Sequence, residues 1–198
     1  FDEVCHSCGG CALLCPAGAI RETDKAVGTV FSGVSDGVDV YTGRLNIGEA
    51  SGIPVIKRLL SKIPNSGNRP VFIDCPPGSA CAVMESIQDA DFCVLVAEPT
   101  IFGAHNLAMV YELVSLFHKP FGAVLNKCQA GENPSETFCL EHRIPILGRI
   151  PFDAELGALN AEGGIAAREN ERYRALFGSL LEQIGKEARH EAASDSQR

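Results

Sequence analysis

The sequence predicts an α/β fold, a parallel sheet with helices on both faces and a small α+β segment ahead of it; three features of the 198 residues carry that prediction. Four runs are apolar throughout: Val71-Phe72-Ile73, Phe92 to Ala97, Phe121 to Leu125 and Ile144 to Ile150. Strands buried on both faces read this way. Between the runs lie stretches of helical periodicity, and apolar strands alternating with helices join by right-handed crossovers into a parallel sheet. Residues 1–48 depart from this pattern; they are glycine-rich and open on Cys5-His6-Ser7-Cys8-Gly9-Gly10-Cys11-Ala12-Leu13-Leu14-Cys15-Pro16.

That opening stretch spells C-x2-C-x2-C-x3-C-P, the run with which bacterial ferredoxins close thiolates around the irons of a cubane cluster. Zinc sites bring two cysteine pairs separated by a longer finger, and a disulfide framework needs no strict three-residue step. Cys5, Cys8, Cys11 and Cys15 are therefore the candidate ligands of a 4Fe-4S cluster. Gly9 and Gly10 allow the backbone to fold tightly and aim N–H donors at sulfur, and Pro16 turns the chain away. Two ligand arrangements stay open. Either all four cysteines hold one cluster, or Cys5, Cys8 and Cys11 hold one while Cys15 serves a second, as in two-cluster ferredoxins.

Short strands are expected at Ala19-Ile20, Val27 to Phe31, Val38 to Tyr41 and Leu45 to Ile47, between Gly and Asp punctuators, making a ferredoxin-type half followed by a hairpin. Pro54 to Ile63 has apolar residues at helical steps, and Pro64-Asn65-Ser66-Gly67 stops it. Further helices are expected over Ala82 to Gln88, Gly103 to Phe117 and Pro134 to His142, the last with Asn133 as N-cap and Pro134 at the first helical position. Asp153 caps a short helix. A final helix from Glu171 to about Ala188 carries Tyr173, Leu176, Leu180 and Ile184 on one face, a stripe suited to core packing rather than to a membrane surface, because its polar face lacks a dense basic edge. The expected division is a 4Fe-4S segment and hairpin over 1–48, a nucleotide-binding α/β domain over 49–190, incomplete, and a disordered tail over 191–198.

Composition excludes several functions. A net charge of −8 and a pI near 5.1, with no lysine or arginine block, argue against a phosphate-backbone binder, so no nucleic acid partner is expected. No apolar run approaches the roughly 18 residues of a transmembrane helix, and no secretory leader is present, so stable membrane insertion is not expected. Five cysteines beyond the run, Cys75, Cys81, Cys93, Cys128 and Cys139, are scattered among apolar residues, as reduced thiols of a cytoplasmic protein would be.

The second group of candidate residues starts where the first apolar run ends, at Val71-Phe72-Ile73-Asp74-Cys75-Pro76-Pro77-Gly78. Ligands of open α/β sheets bind outside the carboxyl ends of strands, where an Asp coordinates nucleotide-held Mg2+. By itself this pattern leaves Asp74 either as that metal residue or as the cap of a turn. From Val71 to Lys127 the chain resembles the MinD/ParA-type P-loop ATPases, in particular the subgroup with an inserted ferredoxin domain. The likeness extends from the Cys15-Pro16-Ala17-Gly18-Ala19-Ile20 tail of the cysteine run, through Leu45 to Gly52, to Ile150-Pro151. It implies ATP and Mg2+ as ligands, Asp74 as the catalytic Walker-B acid, Pro76, Pro77 and Gly78 as a nucleotide-sensing switch, Glu98-Pro99-Thr100 as the next loop, Asn126 facing the base, and a homodimer. Lys127 follows Asn126 in the same base-reading stretch. Pro151 and Phe152 pack on the purine by the same resemblance, although Phe152 serves equally as a core residue. Asn126-Lys127-Cys128-Gln129 resembles the start of the guanine-reading motif of GTPases, but Gln129 stands where that motif has a carboxylate, so adenine is favoured.

A phosphate cradle of the form GxxxxGK[ST] does not occur; Gly185-Lys186-Glu187 is the nearest approach and lacks the hydroxyl. In the resembling family that loop precedes the ferredoxin insert. The chain opens at Phe1 rather than Met, so the expectation is a portion that begins beyond the P-loop, without ATP hydrolysis of its own. Cys81 is expected to line the core, and Cys128 and Cys139 lack C-x-x-C spacing. The leading expectation is an iron–sulfur ATPase that couples its nucleotide state to electron delivery to a redox partner protein. The alternatives are a ferredoxin-like electron carrier and a cluster scaffold, neither with ATPase activity.

Overall fold

A computed structural model describes residues 8–63 and 69–195 of the chain, which divide into two compact units. The first takes in the chain up to Pro76 together with Ala80–Ser86; the second takes in Pro77–Ser79 and everything from Ile87 onward. The division expected at 48/49 thus falls inside the first unit.

The first unit opens on a single helical turn, α1 (Gly10–Leu13), within the cysteine run. It continues with an antiparallel hairpin of β1 (Gly28–Ser35) and β2 (Val38–Leu45), Ser35 facing Val38 across a two-residue turn. Asp36 and Gly37 make that turn with φ of 48° and 78°. Two left-handed residues are what a type I′ hairpin demands, and Asp-Gly supplies them at low cost. Helix α2 (Ile53–Leu60) lies on one face of the hairpin. Val55, buried, packs into a surface where Gly28 and Gly43 leave no room for side chains: a Cβ on Gly28 would come 2.7 Å from Val55 Cγ2, and one on Gly43 would overlap Val55 Cγ1. Helix α3 (Cys81–Ile87) follows.

The second unit is a parallel three-stranded sheet in the order β3 (Cys93–Ala97), β4 (Phe121–Cys128), β5 (Ile146–Pro151). Its helices are α4 (Ile101–Leu116), α5 (Pro134–Glu141), α6 (Ala154–Ala161), α7 (Ala166–Glu169) and α8 (Glu171–Asp195). One face of the sheet meets α4 and α5, where Tyr111 packs edge-on to Phe121 and Phe138 with centroids 5.6 and 5.8 Å apart. From the other face Val124, Leu147 and Ile150 pack against Leu156 of α6 and Leu176, Phe177, Leu180 and Ile184 of α8. Tyr173 is 1% exposed, so the apolar stripe of the last helix packs as expected. Both proposed caps form: Asn133 accepts from the Glu136 N–H at 3.1 Å, and Asp153 accepts from Glu155 and Leu156 N–H.

Several expectations are corrected. Val71-Phe72-Ile73 is not a strand; all three residues are exposed and belong to no ladder, because an apolar trio becomes a strand only where neighbours satisfy its backbone. Three parallel strands, not four, are present among the described residues. Ala19-Ile20 is likewise unpaired, and Leu45 closes β2 while Ile47 is fully exposed. Among the described residues, α1 is thus the sole regular element between Cys8 and Val27. Helix α8 continues to Asp195, through most of the expected tail. No helix among the described residues is long and apolar enough to cross a membrane.

The packing of α2 yields a prediction. Gly43→Ala should destabilise the chain by about 1–3 kcal/mol in chemical denaturation, the cost of forcing a methyl group into a filled contact. Unchanged stability would mean that α2 does not seat on the hairpin through Val55.

Candidate functional site

The residues expected to meet a nucleotide base assemble at the carboxyl edge of the parallel sheet, where open α/β folds bind ligands. β4 makes this edge. It is hydrogen-bonded on both sides, and its central residues Ala123, Val124 and Leu125 are at most 2% exposed. Beyond Leu125 the ladder to β5 breaks register and resumes with Cys128 opposite Pro151. Two residues thus bulge outward at the strand end, Asn126 and Lys127. Lys127 takes φ 55°, unusual for a residue with a Cβ, and its N–H donates to Asn126 Oδ1 at 2.9 Å. The Phe152 N–H donates to the Cys128 carbonyl at 2.8 Å, which sets Pro151 and Phe152 beside the bulge, Phe152 57% exposed. At that exposure Phe152 is not a core residue.

Glu98, the first residue after β3, closes the cluster. Its carboxylate accepts from Lys127 Nζ at 2.6 Å, and its carbonyl accepts from the Ser135 hydroxyl at 2.6 Å and the Thr100 N–H at 2.8 Å. Ser135 is fully buried, so this bond ties the first turn of α5 to the end of β3. Thr100 caps α4 by accepting from the Gly103 N–H at 2.9 Å. Only glycine fits at 103, where a Cβ would overlap the Glu98 carbonyl. Both carboxylate and ammonium are half-exposed, so the pair fixes geometry more than it adds stability, about 0–1 kcal/mol.

Ser135 and Gly103 went unrecognised in the sequence, and Glu98 was placed only in a loop. The signal for Glu98 is an acid directly after one apolar run and a lysine two residues after the next, at strand ends that parallel register brings side by side. Cys128 and Cys139 lie behind this edge; burial first, then Glu136, pushes both thiols above the ordinary cysteine range, against the opposing charge of Arg149. Neither is a ready thiolate ligand.

Other expected residues lie elsewhere. Asp74 and Pro76 belong to the first unit, exposed and outside any helix or strand, whereas Pro77 and Gly78 are grouped with the second. Gly78 adopts φ 92°. Cys75 beside Asp74 is pushed up by burial, with Ser86 opposing and Asp74 adding to the shift.

In the cysteine run, Cys5 lies outside the described residues. Cys8 and Cys11 are exposed and Cys15 is half-buried. The Ala19 N–H points at Cys15 Sγ from 3.4 Å, and this bond, then that of Ala17, holds the Cys15 thiol below its ordinary pKa against burial, with lesser help from the Ile20 and Gly18 N–H groups. Gly9 is left-handed at φ 75°, and Gly10 lies against Cys8 Sγ. Cys8, Cys11 and Cys15 do not come within 4.8 Å of one another as a trio. Thiolates sharing one tetrahedral zinc would, at about 2.3 Å from the metal each. A cubane binds each thiolate at a different iron and takes a wider set. Among the described residues the cysteines form no gathered metal-ligand set.

No family model matches the chain. Two uncharacterized proteins of Methanocaldococcus jannaschii are each 24% identical to it, one over 128 residues (64% of this chain, 46% of the relative) and one over 148 (75% and 51%). The chain spans about half the length of these curated relatives. Among solved structures, the MinD cell division protein of Aquifex aeolicus superposes with a TM-score of 0.56 at 18% identity, covering 67% of this chain and 61% of that one. The cell division ATPase MinD of Pyrococcus furiosus gives 0.56 at 22% identity, over 66% and 57%. The chain thus has an α/β fold like that of these two structures.

The amide environment of Cys15 predicts its titration. A lowered pKa makes the thiolate available at lower pH, a raised one delays it. In iron-free protein, iodoacetamide should label Cys15 at lower pH than Cys75, followed by mass spectrometry of the two peptides. Coincident pH profiles would remove the N–H donors from the account.

Proposed function

We propose that this chain is the iron–sulfur and base-binding portion of a MinD-type ATPase, cytoplasmic and homodimeric, whose nucleotide state governs electron exchange between a 4Fe-4S cluster and a redox partner protein. The observation that carries the reading is the bulge at the end of β4. It turns Asn126 and Lys127 out of a rigid strand beside Pro151 and Phe152, at the edge where a MinD-like sheet takes its ligand. The Asn126 amide offers a donor and an acceptor to adenine, Phe152 offers an exposed ring to its face, and Glu98 holds Lys127 in place. Asp74 would supply the carboxylate for Mg2+, and Pro76, Pro77 and Gly78 the segment that responds to the γ-phosphate. In this reading the phosphate cradle is a GxxxxGK[ST] loop that these 198 residues do not contain.

Cys5, Cys8, Cys11 and Cys15 would hold the cluster, which when bound supplies one-electron storage. The chain's part is to favour the Cys15 thiolate through amide donors and to leave Cys8 and Cys11 open to the irons. A pure electron carrier is the second reading, favoured by the amide donors around Cys15, which would serve a cluster whether or not a nucleotide binds.

Two experiments separate these. In the full-length protein, Asp74→Asn should lower ATP hydrolysis by roughly 10²-fold, the scale of losing one electrostatic stabiliser, while leaving the visible absorbance of the cluster intact. Hydrolysis near the unmodified rate would make Asp74 a turn residue. Iron analysis of anaerobically purified full-length protein should give about eight irons per chain if Cys15 serves a second cluster, and about four, all lost in Cys15→Ser, if the four local cysteines hold a single one. Iron-free, colourless protein would end the cluster reading.

A further inference from the structure

Between the hairpin and α2 the first unit opens a groove of about 530 Å3 whose walls are apolar at Val55 and hydroxyl-bearing at Ser32 and Tyr41. Its charged lining is wholly basic: Lys25, Arg58 and Lys62, with no Asp or Glu. That is unexpected in a chain with 25 acidic and 17 basic residues. Arg58 stands in α2 and Lys62 just past its end, and neither has an ion-pair partner among the described residues. Lys57 next to them pairs with Glu85 at 3.8 Å, and Lys25 pairs with Glu49 at 3.1 Å, so surplus positive charge is concentrated at Arg58 and Lys62.

The groove also lies close to the cysteine run. Glu22 Oε1 comes within 3.8 Å of the position a Cβ would take on Gly9, between Cys8 and Cys11. Lys25 is three residues further along, a span of at most about 11 Å. A basic, partly apolar, open groove beside a metal-ligating loop is complementary to a carboxylate-bearing surface.

We propose that this groove docks the acidic face of a one-electron carrier protein, with carboxylates of the carrier on Arg58 and Lys62 and its apolar contact on Pro54 and Tyr41. The step it serves rests on the cluster reading above: one electron leaves the reduced carrier, which is oxidised, and enters the oxidised cluster, which is reduced, with no bond made or broken. The groove's role in holding the carrier is testable without a cluster.

The probe is an acidic flavodoxin, titrated calorimetrically into the purified chain at low and high salt. Binding should weaken at least tenfold between about 20 and 500 mM salt, since opposed exposed charges are screened over a Debye length. Arg58→Gln/Lys62→Gln should weaken low-salt binding at least tenfold, while Lys57→Gln, on the same helix but outside the groove, should stay within about twofold. Flavodoxin that does not bind at low salt, a double variant that binds like the unmodified chain, or a Lys57→Gln loss equal to the double variant's would each overturn the proposal. In cluster-loaded protein, stopped-flow reduction by the flavodoxin hydroquinone should slow in the double variant at unchanged cluster absorbance. A chain that binds flavodoxin through Arg58 and Lys62 yet never takes up iron would overturn the cluster reading and leave the docking groove standing.

Discussion

The candidate base site depends on one constraint, the burial of β4 on both faces and its hydrogen bonding on both edges. A strand so enclosed cannot shift without breaking two ladders and exposing Ala123, Val124 and Leu125. Whatever stands at its carboxyl end is therefore held rigidly. The irregularity between Leu125 and Cys128 exploits this: it ends the regular pleat, forces Lys127 into left-handed backbone and turns two polar residues out of a strand that is otherwise apolar. Glu98 and Ser135 then brace the bulge from the neighbouring strand and helix, so that a loop-like feature inherits the stiffness of a sheet.

The first unit is organised by different physics. Its hairpin is only two strands, too few to be stable without a covering helix, and the close seating of α2 on Gly28 and Gly43 provides that cover. Ahead of it the cysteine run has little regular structure. Its order comes from local amide groups directed at Cys15 rather than from a core. A segment of this kind gains most from a metal cluster, because ligand bonds supply the cohesion that burial does not.

Much of this was legible in the amino-acid sequence, and the failures have physical causes. Phe92 to Ala97, Phe121 to Leu125 and Ile144 to Ile150 all contain strands, because each run is apolar and each finds a neighbour in the same sheet. Val71-Phe72-Ile73 has the same composition and no ladder, which hydrophobicity alone cannot reveal. Asn133-Pro134 and Asp153 announced their caps through side-chain chemistry that acts within three residues. The four-residue α1 and α7 are too short to show a period. At the site, Asn126, Lys127 and Pro151 were visible because they sit next to strand ends. Ser135 and Gly103 were not, since their importance lies in contacts with the Glu98 carbonyl that only the folded chain creates.

The central claim is that the carboxyl edge of β4 and β5 receives an adenine base. Photolabelling of the full-length protein with 2-azido-ATP, followed by peptide mapping, tests it most directly. The account predicts covalent label on the peptides holding Asn126 to Cys128 and Pro151-Phe152, displaced by ATP and not by GTP. Label confined to other peptides, or equal displacement by GTP, would contradict it.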